Sequence, residues 1–145
     1  MTANVTFYQL EESQVMAAAT PLVAECYRAR QTLAIVCDDQ ATAEQWDEHL
    51  WQQPTDAFIP HNLFGEGPAN GSPVTLVWAA SNYTAPTMMN VSQQTLPISP
   101  RVQRIIEFVP ADEEGKKAAR QRYKQYQMAG CQMQFLPLSK ETTNG

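Results

Sequence analysis

Residues 32–50 read TLAIVCDDQATAEQWDEHL, and this stretch decides the fold class. Its first six residues form a continuous apolar run, which predicts a strand buried on both faces. Asp38 and Asp39 follow at the point where a carboxylate can accept from the free N–H groups that open a helix. Ala43, Trp46 and Leu50 then recur at helical spacing, so the helix has an apolar stripe to lay against the strand before it. A buried strand feeding an amphipathic helix is the repeating step of an α/β layer.

The same step precedes it. Residues 4–10, NVTFYQL, are rich in β-formers with Val5 and Phe7 alternating, and predict a first strand. Residues 11–30 carry Val15, Ala19, Leu22, Val23 and Cys26 at helical spacing, with Thr20-Pro21 expected to divide the helix as a cap and a first-turn proline. The order strand–helix–strand–helix predicts a mostly parallel sheet flanked by helices. Residues 51–73 are rich in Pro and Gly and read as loop or short extended pieces. Strands are expected at 74–78, at 88–91 inside an uncharged stretch with three prolines, and at 104–109 (RIIEFV). Pro110 then breaks the chain before a last helix, 113–129, stopped by Gly130. This organisation predicts one domain over residues 1–137 and a flexible polar tail over 138–145.

With 145 residues the chain is long enough for one sizeable core. Ten basic against fifteen acidic residues give a net charge of −5, which disfavours a protein that coats nucleic acid and leaves room only for a local basic face. Little or no direct nucleic-acid binding is expected. No apolar run approaches the roughly 18 residues that span a membrane, and residues 1–9 lack the pattern of a secretory signal, so the cytoplasm is the expected compartment. Cys26, Cys37 and Cys131 are too scattered for a disulfide framework or a metal knuckle, and His49 and His61 share no pattern with them, so buried reduced thiols are expected and no metal.

Catalytic patterns are weak. Residues 65–71, GEGPANG, suggest a phosphate loop, but Pro68 removes a backbone donor, no Lys follows, and the next element is a strand rather than a helix. The first strand runs into Glu11-Glu12, not glycines, so no dinucleotide fingerprint is present. Asp38 and Asp39 beside Cys37 would raise its thiol pKa, the wrong direction for a nucleophile. His49, next to Glu48, is placed on an exposed helix face. No catalytic residue and no cofactor are assigned.

The last helix is more informative. Lys116, Lys117, Arg120, Arg122 and Lys124 are five of the ten basic residues and fall within nine positions. At about 100° per residue, Lys116, Arg120, Tyr123 and Gln127 share one face with Lys124 at its edge. Ala118, Ala119, Tyr126 and Ala129 lie opposite, and Arg122 falls on that inner side, where an internal carboxylate would be needed to receive it. Such a helix is either a solvated amphipathic surface or a cationic face for an acidic peptide or carboxylate. A second cluster, Trp51, Pro54, Phe58, Ile59 and Pro60, either plugs the edge of the core or stands out as an interface anchor.

At these residues the chain resembles the chi subunits of bacterial DNA polymerase III, over nearly its whole length. Residues 47–74, DEHLWQQPTDAFIPHNLFGEGPANGSPV, resemble the family's L-W-x-x-P…F-x-P-H-N-L-x-G-E-G-P stretch. The closing FVP…KKAARQRYKQYQMAG is similar to the family's F-V-P…A-R-x-R-Y-K-x-Y-R-x-A-G. The resemblance implies a single-domain Rossmann-like α/β sheet without a phosphate-binding loop, and a non-catalytic accessory role in the clamp-loader complex. It implies two partners: the psi subunit, through which such proteins join the clamp loader, and the acidic C-terminal tail of single-stranded DNA-binding protein. Carried over by position, the tail-binding residues are Lys116, Arg120, Tyr123, Lys124 and Val109, and the psi interface includes Trp51, Phe58 and Pro54. Gln127 stands where the family pattern has Arg, which implies one fewer peripheral charge contact. The competing reading, a small Rossmann-like nucleotide-binding enzyme using Asp38, Asp39 and the 65–71 loop, has no second feature behind it.

Overall fold

A computed structural model describes residues 3–11, 15–52, 59–65, 72–78 and 83–138. Its centre is the apolar run quoted above: β2 (Leu33–Cys37) pairs in parallel with β4 (Val74–Trp78) on one side and β5 (Thr87–Asn90) on the other. The sheet extends through β3 (His61–Leu63) at one edge and, at the other, β6 (Arg104–Val109), β1 (Asn4–Gln9) and β7 (Gln132–Pro137), in the order β3-β4-β2-β5-β6-β1-β7. Every pairing is parallel, so the expectation of a mostly parallel sheet understates it. All strands begin at one edge of the sheet and end at the other, a polarity that later separates two surface sites.

Strand alternation divides the interior in two. Leu33, Ile35 and Cys37, with Val74, Leu76, Ile106 and Phe108, face a core closed by α1 (Val15–Arg28) and α2 (Gln40–Gln52). Ala34, Val77, Ile105, Val5 and Phe7 face the other core, closed by α3 (Glu113–Met128) and by Ala85, Leu96 and Val102 from the irregular segments around β5. Asp39 opens α2 as expected, its Oδ1 accepting from Thr42 N at 2.8 Å and Thr42 Oγ1 at 2.7 Å. Those two bonds hold the Asp39 carboxyl below its ordinary value. Ala43, Trp46 and Leu50 are its buried stripe.

Several details depart from the sequence reading. Pro21 does not divide α1: one helix runs through it. The carbonyl deprived of a donor belongs to exposed Ala17, and Thr20 Oγ1 donates to Met16 O at 2.8 Å. His49 is half-buried rather than exposed, its Nε2 lying 2.8 Å from Thr20 Oγ1 of the neighbouring helix, and burial pushes its pKa down. Ala129, placed on the inner side of the last helix, is exposed and forms its C-cap. The strand β7 was not foreseen. It follows Gly130, lies in register with β1 (Phe7 opposite Phe135), and is largely exposed, so its sequence QMQFLP lacks the apolar density that marks the central strands. Beyond it, Leu138 is buried and its N–H donates to Gln9 O at 2.9 Å.

Two helices end in the same way. In α3, Gly130 N donates to Gln127 O and Cys131 N to Tyr126 O; in α1, Arg30 N donates to Tyr27 O and Gln31 N to Cys26 O. The turning residue is left-handed in both, Gly130 at φ 90° and Arg30 at φ 60°. Glycine adopts this conformation freely, whereas a residue with a Cβ loses about 1 kcal/mol there.

Candidate functional site

The last helix starts where Pro110 ends β6. Asp112 caps it, its Oδ2 accepting from Gly115 N at 2.9 Å, and Glu113 and Glu114 occupy the first turn, where the helix dipole favours acids. Gly115 lets this turn sit against the proline: a Cβ there would lie 2.8 Å from Pro110 Cγ. The helix is then clamped from inside. Arg122 is buried, as its position on the inner face required, and its Nε donates to Glu107 Oε1 at 3.0 Å while Nη2 donates to Phe108 O at 3.3 Å. Glu107 Oε2 accepts from Tyr126 Oη and from Asn90 Nδ2, both at 2.7 Å. Tyr126 Oη in turn accepts from Leu96 N at 2.9 Å, tying the segment after β5 to the helix. Burial raises the Glu107 carboxyl, and the Arg122 guanidinium and the three donors oppose that rise. Burial and the neighbouring Glu107 carboxylate likewise push the Tyr126 phenol up, so it stays a donor.

With its inner face held, the helix leaves a pocket of about 280 Å³ between its first half and the carboxyl ends of β1, β6 and β7. Phe7, Gln9 and Val109 line it from β1 and β6, Ala119 and Tyr123 from the helix, and Phe135 from β7. The Phe7 and Tyr123 rings lie 5.2 Å apart. Lys116 and Arg120 complete the lining, and among the described residues neither is held in an ion pair. The result is an apolar hollow with two cations at its rim, shaped for an apolar side chain next to an anionic group.

Four of the five residues singled out for this face, Lys116, Arg120, Tyr123 and Val109, therefore line one pocket. Lys124 is exposed and lies outside the lining, as does Gln127. Four wall residues, Phe7, Gln9, Ala119 and Phe135, escaped the sequence reading, which gave Ala119 only to the inner side of the helix. Phe7 reads as ordinary core, and Phe135 sits on the unforeseen strand; the Met133–Phe135 alternation after a helix-stopping glycine was the available signal.

The second cluster is described only in part, since Pro54 and Phe58 lie outside the described residues. Trp51, in the last turn of α2, is 58% exposed, and its ring lies 4.7 Å from that of buried His61 on the edge strand β3. His61 Nδ1 is 2.7 Å from Ile59 O, and its Nε2 is 3.1 Å from Asp47 O. Phe64, also exposed, packs near Trp78 and Tyr83, so exposed aromatic surface continues past β3. Of the 65–71 loop only Gly65 is described, at φ 88°.

Elsewhere the chemistry is sparse. Cys37 is buried, and burial together with Asp38 and Asp39 pushes its thiol up to about 12. Among the described residues no three His, Cys, Asp or Glu side chains gather as metal ligands, and no helix is long and apolar enough to cross a membrane.

A parallel sheet covered on both faces, with a small cation-rimmed pocket at its carboxyl edge, defines an α/β protein of the Rossmann-like type. The family model described as DNA polymerase III chi subunit, HolC, matches residues 1–134. The DNA polymerase III subunit chi of Escherichia coli K12 is 34% identical over 136 residues, covering 88% of this chain and 92% of its own. That of Haemophilus influenzae is 33% identical over 135 residues, covering 90% and 94%. The chain belongs to the DNA polymerase III chi subunit family.

Proposed function

We propose that this chi-family protein is a non-catalytic adaptor in the replicative polymerase. It joins the clamp loader through the psi subunit and captures the acidic C-terminal tail of single-stranded DNA-binding protein. The observation that carries the reading is the pocket under α3, where Lys116 and Arg120 rim an apolar hollow walled by Phe7, Val109, Tyr123 and Phe135. A peptide ending in Pro-Phe offers an aromatic ring for the hollow and a terminal carboxylate for a guanidinium fork, and we assign the fork to Arg120. Lys116 draws in the upstream aspartates, and Lys124 adds a weaker, longer-range attraction from outside the pocket. Trp51, with Phe58 and Pro54 beside it in sequence, is our candidate psi contact, because an exposed tryptophan is the kind of anchor that dominates interfaces.

Fluorescence anisotropy of a labelled acidic peptide ending in Asp-Ile-Pro-Phe tests the pocket. Saturable binding that weakens with salt is expected, and Arg120→Ala should cost about 2 kcal/mol or more. Trp51→Ala should leave peptide affinity unchanged and weaken psi. Unchanged peptide affinity in Arg120→Ala would overturn the assignment.

A further inference from the structure

A groove of about 810 Å³ lies at the opposite end from this pocket, along the edge where the strands begin. Arg30 and Arg104 line it, together with amide side chains such as Asn4, Gln31, Gln103 and Gln134, and no carboxylate does. The polarity of the parallel sheet explains the charge. Arg28 and Arg30 end the first helix just before β2, and Arg101 and Arg104 lead into β6, so four of the ten basic residues meet at the amino edge. Glu11, Asp38, Asp39, Asp112, Glu113 and Glu114 all follow strand ends and lie at the carboxyl edge. The lining of this groove is therefore cationic although the chain carries a net charge of −5.

Arg30 supplies a second, independent observation. It occupies the left-handed position of a helix cap whose counterpart in α3 is Gly130, with the same pattern of backbone bonds. Glycine would fit there without strain, so the guanidinium is kept in the groove against a local conformational preference.

We propose that the amino-edge groove binds the phosphodiester backbone of single-stranded nucleic acid. Guanidinium forks suit phosphate oxygens, and the surrounding amides both donate and accept, as sugars and base edges require. Among the described residues Tyr8 is the one aromatic of the lining, its Oη accepting from Arg104 Nη2, and a ring beside guanidinium groups suits the stacking of a base next to its phosphate.

The test is anisotropy of a labelled oligothymidylate against the full chain at low ionic strength, with Arg30→Gly, Arg104→Gln and Arg120→Ala compared. The wild type should bind, and two phosphate contacts on a single strand give log K against log salt a slope of about −1.4. Arg30→Gly should weaken binding about fivefold or more and flatten that slope by about 0.7. The same variant should raise Tm by about 2–4 °C, because the left-handed strain is relieved, so lost binding would not be lost folding. Arg120→Ala should bind oligothymidylate like the wild type, whatever it does to the acidic peptide. Absence of binding by the wild type, or wild-type affinity in both groove variants, overturns the proposal. Preferential displacement by oligoglutamate also overturns it, in favour of an acidic-peptide groove.

Discussion

Replacing Arg122 by Met keeps the volume of the side chain against the sheet and removes the guanidinium from Glu107, which is 0% exposed. The carboxylate then keeps Tyr126 and Asn90 as donors but loses its only counter-charge among the described residues. Removing one partner of a buried pair costs about 3–5 kcal/mol, because the other charge remains out of water. At about 2.1 cal/mol/K of unfolding entropy per residue, a chain of 145 residues should lose about 10–15 °C in Tm. The loss should depend on pH. Burial already holds Glu107 above its ordinary 4.5, and without Arg122 the folded-state value climbs further while the unfolded one stays. A carboxyl raised on folding contributes stability below the unfolded value and loses it as pH rises through the folded value. The deficit of Arg122→Met should therefore be smallest near pH 4.5 and grow toward neutrality, measured by urea unfolding across that range. Adding Glu107→Gln should restore most of the stability at pH 7, since no buried charge remains. A deficit under about 1 kcal/mol, or one that does not change with pH, would refute the clamp argument.

Two further outcomes follow from the same geometry. Asp112→Ala should cost about 1 kcal/mol in urea unfolding, and because the first turn carries Lys116 it should weaken the acidic peptide by less than tenfold. Cys37, raised to about 12, should resist a thiol reagent at pH 8 in the native state and react at once in denaturant. Its contribution to stability is complete below the ordinary thiol value of 9.0 and is lost as pH rises toward 12, so an alkaline unfolding limb is expected there.

The Glu107–Arg122 pair also explains why the helix face is usable. Four cations of α3 are at least partly solvent-accessible, but Arg122 is turned inward and fixes the rotation of the helix about its axis. With that rotation set, Lys116, Arg120 and Tyr123 fall over Phe7 and Val109 rather than into solvent. The anchor on Leu96 N extends the clamp to the segment after β5, which covers the same face of the sheet where no helix does.

Local pattern determined a good deal by itself. The run 33–37 became the central strand, Asp39 its helix cap, RIIEFV a strand with the bounds read from sequence, and Arg122 was recognisable as an inward cation in need of a carboxylate. These features are set within a few residues, by burial period and by capping chemistry, which a linear sequence displays. The identity of that carboxylate was decided by tertiary structure, because Glu107 reaches Arg122 only when β6 and α3 are packed together. The same holds for the pocket. Phe7, Val109, Arg120 and Phe135 come from four elements spread over most of the chain, and only the parallel order β6-β1-β7 makes them neighbours. Strand β7 itself stayed hidden because an exposed edge strand needs few apolar residues, its stability coming from backbone pairing with β1. The basic lining of the amino-edge groove had the same origin: composition records a net −5, and the shared direction of the strands brings Arg30, after α1, and Arg104, at the start of β6, to one edge.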